Sequence, residues 1–123
     1  MRRGLGQSVW VGVGGDPVKG TRYAELVPFF AAHAPTRALV IIGEIGGSEE
    51  EELAAALTAA SFAKPVFALV AGRSAREGVT MGHAGAMVHG DAGSWASKQA
   101  ALEGAGAQVF ASVADLVEAV AAL

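Results

Sequence analysis

Three uninterrupted apolar runs limit what this chain can fold into: "ALVII" at 38–42, "PVFALVA" within "KPVFALVAG", and "QVFAS" from Gln108. A strand with one wet face alternates apolar and polar residues. A run that is apolar at every position has both faces covered. Each run leads, directly or through a loop, to a segment of helical length: "SEEEELAAALTAA", "SWASKQAALEGAGA" and "SVADLVEAVAAL". Parallel strands need a crossover of a dozen or more residues, usually a helix. The alternation therefore predicts an α/β fold, a parallel sheet with helices on both faces. A further apolar run, "SVWVGVGGDP" from Ser8, reads as a short buried strand ending in a glycine turn. The segment 21–33 after it reads as a helix, in which Pro28 introduces a kink or marks the first turn.

The helix boundaries carry their own signals. Ser48 followed three residues on by Glu51 reads as a capping box. Four consecutive glutamates, Glu49 to Glu52, suit the positive end of a helix dipole and predict a solvated helix start. Ser112 is the expected cap of the last helix, and Gly104 or Gly106 the end of the one before it. Trp10, Trp95 and Phe110 read most simply as core or interface residues.

Composition removes several classes of function. With 123 residues the chain has the length of one domain, here residues 1–123. Its nine Lys and Arg are scattered and its net charge is −3, which argues against nucleic-acid binding. No apolar run reaches the length of a transmembrane helix, and "MRRGLGQ" is followed by no signal-peptide core, so no membrane role is expected and a cytoplasmic location is the default. The absence of cysteine excludes disulfides, thiolate metal sites and a cysteine nucleophile.

Ligands of open parallel sheets collect at the carboxyl ends of the strands. Three loops are expected there: "GGDPVKG" with Gly14, Gly15 and Asp16; "GEIGGS" with Glu44, Gly46 and Gly47; and the long stretch "GRSAREGVTMGHAG". In the last, His83 stands between Gly82 and Gly85 with Ala84 beside it. A neutral imidazole can be a nucleophile, a base or a metal ligand. A metal is not expected, because His83 and His89 are six apart and no carboxylate stands at ligand spacing. No G-x-S-x-G elbow is present for a hydrolase triad. Flanking glycines let a bulky anion approach the backbone, and exposed amides there can cradle phosphate oxygens. A histidine so placed could carry a phosphoryl group, with Glu44 holding one ring nitrogen while the other attacks phosphorus. Residue chemistry alone leaves this reading beside the plainer one of a packed or surface histidine. "GVGGDPVKG" is not a dinucleotide fingerprint, because Pro17 stands where the last glycine belongs.

"GLGQSVWVGVGGDPVKGTRY", "VIIGEIGGSEEEE", "KPVFALVAGRSAREG", "MGHAGAMV" and "SKQAALEGAGAQVFAS" occur in that order over nearly the whole chain. Together they resemble the carboxyl-terminal domain of the succinyl-CoA synthetase alpha subunit and its relatives. The resemblance implies a flavodoxin-like fold and a part of an acyl-CoA ligase of the nucleoside-diphosphate-forming type, succinate-type first, with a place in the tricarboxylic acid cycle. It implies that His83 is phosphorylated, from an acyl phosphate or from ATP or GTP with magnesium, and that Glu44 hydrogen-bonds its ring. It further implies phosphate contacts from Gly82, Ala84, Gly85, Gly46 and Gly47, and a substrate loop at Gly14, Gly15 and Asp16. CoA and the nucleotide with Mg2+ would be held elsewhere, by an ATP-grasp beta-type subunit and a CoA-binding domain or chain. An oligomer is therefore expected, with none of these cofactors bound by this chain alone and no acyl-CoA made by it alone.

The chain departs from the family pattern in three places. The Rossmann-type CoA-binding domain with which the family's alpha subunit begins is not among these 123 residues. The strand and helix that the family places just before "GLGQS" are not among them either. A basic residue usual near Thr80 is absent. In the family that strand lies mid-sheet, so two outcomes are expected: another chain pairs with the strands on either side, or those two close up directly. The alternative function is a non-catalytic assembly or binding module of the same fold, in the setting of FdrA-like proteins of purine and allantoin breakdown.

Overall fold

The structure, a computed structural model, describes residues 4–16, 18–74 and 93–123. Among the described residues four helices and three strands alternate: α1 (Tyr23–Ala32), β1 (Leu39–Glu44), α2 (Glu49–Ala59), β2 (Val66–Ala71), α3 (Trp95–Gly104), β3 (Gln108–Phe110) and α4 (Val113–Ala121). The strands form one parallel sheet in the order β1-β2-β3, with Leu39 opposite Val66 and Phe67 opposite Gln108. The three uninterrupted apolar runs are these three strands, and the expected α/β architecture of the flavodoxin-like type is the one found.

Register assigns the faces. Leu39, Val66, Ala68 and Val70 project to one side and pack with Val27 of α1, Leu53 and Leu57 of α2 and Leu102 of α3. These side chains form the core, with Ala68 and Leu102 fully buried. Phe67 lies on the opposite face, stacked against Phe110 with ring centroids 6.3 Å apart, and α4 packs against β2 and β3. β1 carries Val40 and Ile42 on that second face. They are 46% and 58% exposed, because α4 lies over the other two strands.

The caps follow the sequence in part. Ser94 and Ser112 accept hydrogen bonds from Ser97 N–H and Asp115 N–H. Pro28 sits inside α1 rather than in its first turn. Ser48 is the N-cap of α2 but makes no side-chain cap; its hydroxyl donates to Glu52 Oε1 at 2.6 Å. The expected capping box with Glu51 is absent because Ser97 Oγ and Lys98 Nζ of α3 engage that carboxylate. The expected solvated helix start is likewise corrected. Glu49 and Glu50 are buried, each held by basic side chains of neighbouring segments.

The strand expected from Ser8 does not form. Residues 8–13 have no regular secondary structure, and Trp10 is 81% exposed rather than in a core. The segment is tied at both ends: Ser8 Oγ lies 2.7 Å from Thr36 Oγ1, and Lys19 Nζ bonds Glu49 Oε1 at 3.1 Å. Between the ties it runs across from β1, separated from it by a cleft of about 1310 Å³ lined by Val9, Trp10, Val40, Ile42 and Leu123 among others. A strand exists only through its ladder, and an apolar run with no strand beside it has none. Of the two expected outcomes, direct closure onto β1 is therefore not found, and β1 is an edge of the described sheet.

Candidate functional site

The candidate site is built where β1 ends. Glu44 is its last residue and is half-buried. The N–H groups of Leu39 and Ile45 point toward β2, donating to Pro65 O and Ala71 O. Alternation then turns the backbone of Val40, Ile42 and Glu44 toward the cleft. Tyr23 Oη donates to Ile42 O at 3.0 Å and Glu44 N–H to Glu50 Oε1 at 3.2 Å, so side chains close the carboxyl end of this edge. Burial, reinforced by the charges of Glu50, Glu49 and Glu44, raises the Tyr23 phenol above its ordinary value and keeps it a donor.

Past Glu44 the chain turns through Gly46 (φ 91°) and Gly47 (φ 55°), left-handed conformations that favour glycine. Gly46 N–H donates to Gly93 O at 2.8 Å. Gly93 is itself left-handed at φ 73°, and a Cβ there would lie 2.7 Å from Gly47 O. Backbone thus meets backbone, so Gly93, next to the Ser94 cap of α3, fixes the loop after β1. Trp95 Nε1 donates to Val70 O at 3.0 Å, and the Arg73 guanidinium lies 4.9 Å above the Trp95 ring. α3 is in this way anchored to the end of β2 as well as to the loop.

A second cluster braces the start of α2. Burial by itself would raise the Glu49 carboxyl, but hydrogen bonds from Lys19, Arg22 and Tyr23 N–H outweigh it and hold Glu49 below the ordinary carboxylate value. The Arg22 guanidinium is raised in turn, by its hydrogen bond to Glu49 first.

Of the residues expected at the site, Glu44, Gly46 and Gly47 come together at the mouth of the cleft, and Gly14 and Gly15 line the same cleft from the other wall. Asp16 follows them and is exposed. His83, with Gly82, Ala84 and Gly85, lies outside the described residues, as do Thr80 and His89. Sequence reasoning missed Glu50 and Lys98. The signal was present for Lys98, which stands three residues after Trp95 and four before Leu102, on the inward side of α3. Among the described residues no group of three His, Cys, Asp or Glu could hold a metal, and no helix is long and apolar enough to cross a membrane.

Comparison with known proteins adds relatives to this geometry. A family model described as CoA-ligase matches residues 2–108. The ADP-forming sulfoacetate-CoA ligase subunit SauD of Bilophila wadsworthia is 50% identical over 109 residues, 89% of this chain and 37% of the relative. The ADP-forming succinate–CoA ligase alpha subunit of Aquifex aeolicus is 48% identical over 118 residues, 96% of this chain and 38% of that subunit. The chain thus spans little more than a third of the length of these curated relatives. Among solved structures, ATP citrate lyase of Methanothrix soehngenii, in complex with citrate and coenzyme A, superposes with a TM-score of 0.78 at 28% identity, covering 89% of this chain and 18% of that one.

Proposed function

Because the chain belongs to the CoA-ligase family, we propose that it is the phosphohistidine-carrying part of an ADP-forming acyl-CoA ligase, with His83 as carrier and Glu44 as its orienting carboxylate. The acid activated is a short one bearing a second anionic group, as succinate and sulfoacetate do in the names of its relatives. The observation that carries the reading is the placement of Glu44. It ends β1 at the carboxyl edge of a parallel sheet, where such sheets bind ligands. The glycine loop beyond it is clamped by Gly93.

The chemistry is a relay. A ring nitrogen of His83 attacks the γ-phosphorus of ATP, the bond to the β-phosphate oxygen breaks, and ADP leaves. A carboxylate oxygen of the acid then attacks the phosphohistidine, the P–N bond breaks, and an acyl phosphate forms. The CoA thiolate attacks the acyl carbon and inorganic phosphate leaves. Run backwards, the same steps make ATP. In both phosphoryl transfers through His83, Glu44 accepts a hydrogen bond from the N–H of the other ring nitrogen and stabilises the positive charge that the imidazole carries while bonded to phosphorus. This scheme places the nucleotide with Mg2+ and CoA on an ATP-grasp beta-type subunit and on a CoA-binding domain or chain.

The cleft between residues 4–15 and β1 is where this reading seats a strand from the rest of the ligase. Amide exchange at Val40 and Ile42 is expected to slow in the assembled enzyme relative to this chain alone; equal rates in both would remove that assignment.

Incubating the assembled ligase with γ-labelled ATP and magnesium tests the function. The expected label on this chain is acid-labile and base-stable, and it disappears in His83→Ala. No label under any partner condition would favour the assembly module instead.

A further inference from the structure

We propose that Glu50 and Lys98 are positioning residues for Glu44, a buried ion pair whose role is to fix the end of β1 beside the reacting group; the functional part of this rests on the phosphoryl-carrier reading above. Lys98 is fully buried, and Glu50 is 3% exposed. Lys98 Nζ donates to Glu50 Oε2 and, at 3.3 Å, to Glu51 Oε2. Ser97 Oγ donates to the other oxygen of Glu51 at 3.0 Å. Glu50 Oε1 accepts the Glu44 N–H. One carboxylate therefore joins three elements: α2, which carries it, α3 through the ammonium, and the last amide of β1.

The pair is a poor choice for stability alone. Replacing a buried ion pair by apolar side chains of similar volume is often neutral or stabilising, because desolvation offsets the attraction. What an apolar pair cannot do is accept the Glu44 N–H with one oxygen while the other holds the charge on α3. Gly43 supports the same reading. A Cβ at that position would fall on the Glu50 carboxylate, within 2.9 Å of its Cδ. Glycine lets the carboxylate come against the strand, and Lys98 keeps it there. Every buried side-chain nitrogen and oxygen among the described residues has a partner, so this network is complete rather than half-made.

The test uses the assembled ligase and two double variants. Glu50→Met with Lys98→Met removes the charges and the acceptor. Glu50→Gln with Lys98→Met removes the charges but keeps an oxygen for the Glu44 amide. The methionine pair is expected to melt at or above the wild-type temperature, yet to exchange the Glu44 amide about tenfold faster, as loss of a hydrogen bond of about 1.4 kcal/mol gives. It should label about 10- to 100-fold more slowly, the effect of small displacements at a reacting group. The glutamine variant should recover most of the labelling rate. A purely structural pair predicts the opposite order, with rate following melting temperature. A methionine pair that folds and labels at the wild-type rate, or a glutamine variant no better than it, overturns the proposal. Should the methionine pair not fold, Gly43→Ala displaces the same carboxylate, and normal exchange at Glu44 in that variant overturns it equally. Wild-type labelling in Glu44→Ala would instead detach Glu44 from the chemistry, and label that persists in His83→Ala would remove the phosphoryl-carrier reading; amide exchange at Glu44 would still decide the positioning.

Discussion

Glu44→Ala is expected to slow phosphorylation of the assembled ligase by about 100-fold or more, the scale on which one preorganised group that stabilises developing charge contributes. The argument runs through the ring. When one imidazole nitrogen bonds to phosphorus, the ring gains positive charge and its other N–H becomes a stronger donor. A carboxylate at that N–H stabilises the charge and fixes the tautomer in which the attacking nitrogen is unprotonated. Glu44→Gln keeps an acceptor oxygen and loses the charge. A charge-assisted hydrogen bond is roughly twice as strong as a neutral one, so glutamine should slow the step about tenfold, between wild type and alanine. Single-turnover incorporation of labelled phosphate gives the rates directly. Equal rates in all three proteins would detach Glu44 from the chemistry.

Leu102→Ala is expected to lower the unfolding free energy by about 2–5 kcal/mol, the range for removing a buried leucine where the surroundings collapse only in part. Leu102 is fully buried and belongs to the cluster that joins α1, α2 and α3 to β1 and β2. It lies one helical turn after Lys98, so the cavity opens beneath the network that holds Glu44. The urea midpoint should fall with little change in slope. A loss under about 1 kcal/mol, typical of surface substitutions, would mean that α3 does not anchor this core.

Much of the fold was legible because continuous apolar runs and helix-length spacers have few arrangements other than a covered parallel sheet. "PVFALVA" and "QVFAS" contain β2 and β3, and "ALVII" overlaps β1 with only small shifts at its ends. "SVWVGV" is also a largely apolar run and fails to be a strand, because pairing is decided by the neighbour and not by the run itself. The glutamate run misled for a related reason. Glu49 to Glu52 suit a helix start wherever the helix lies, but only tertiary packing decides which carboxylates meet Lys19, Arg22 and Lys98. At the site, Glu44 and its glycines were legible as a strand-end loop, since left-handed turns call for glycine at Gly46 and Gly47. The ion pair behind them was not, because Glu50 and Lys98 are 48 residues apart and nothing local links a lysine in "SWASKQ" to a glutamate in "SEEEE".

The central claim is that the imidazole of residue 83 carries phosphorus while Glu44 holds its other nitrogen. Nitrogen-15 NMR of histidine-labelled, phosphorylated ligase tests it most directly. The account predicts phosphorus–nitrogen coupling at one ring nitrogen of His83 and a strongly hydrogen-bonded N–H at the other, weakened in Glu44→Gln. Coupling at a different histidine, or a His83 ring whose second nitrogen does not respond to the change at Glu44, would contradict it.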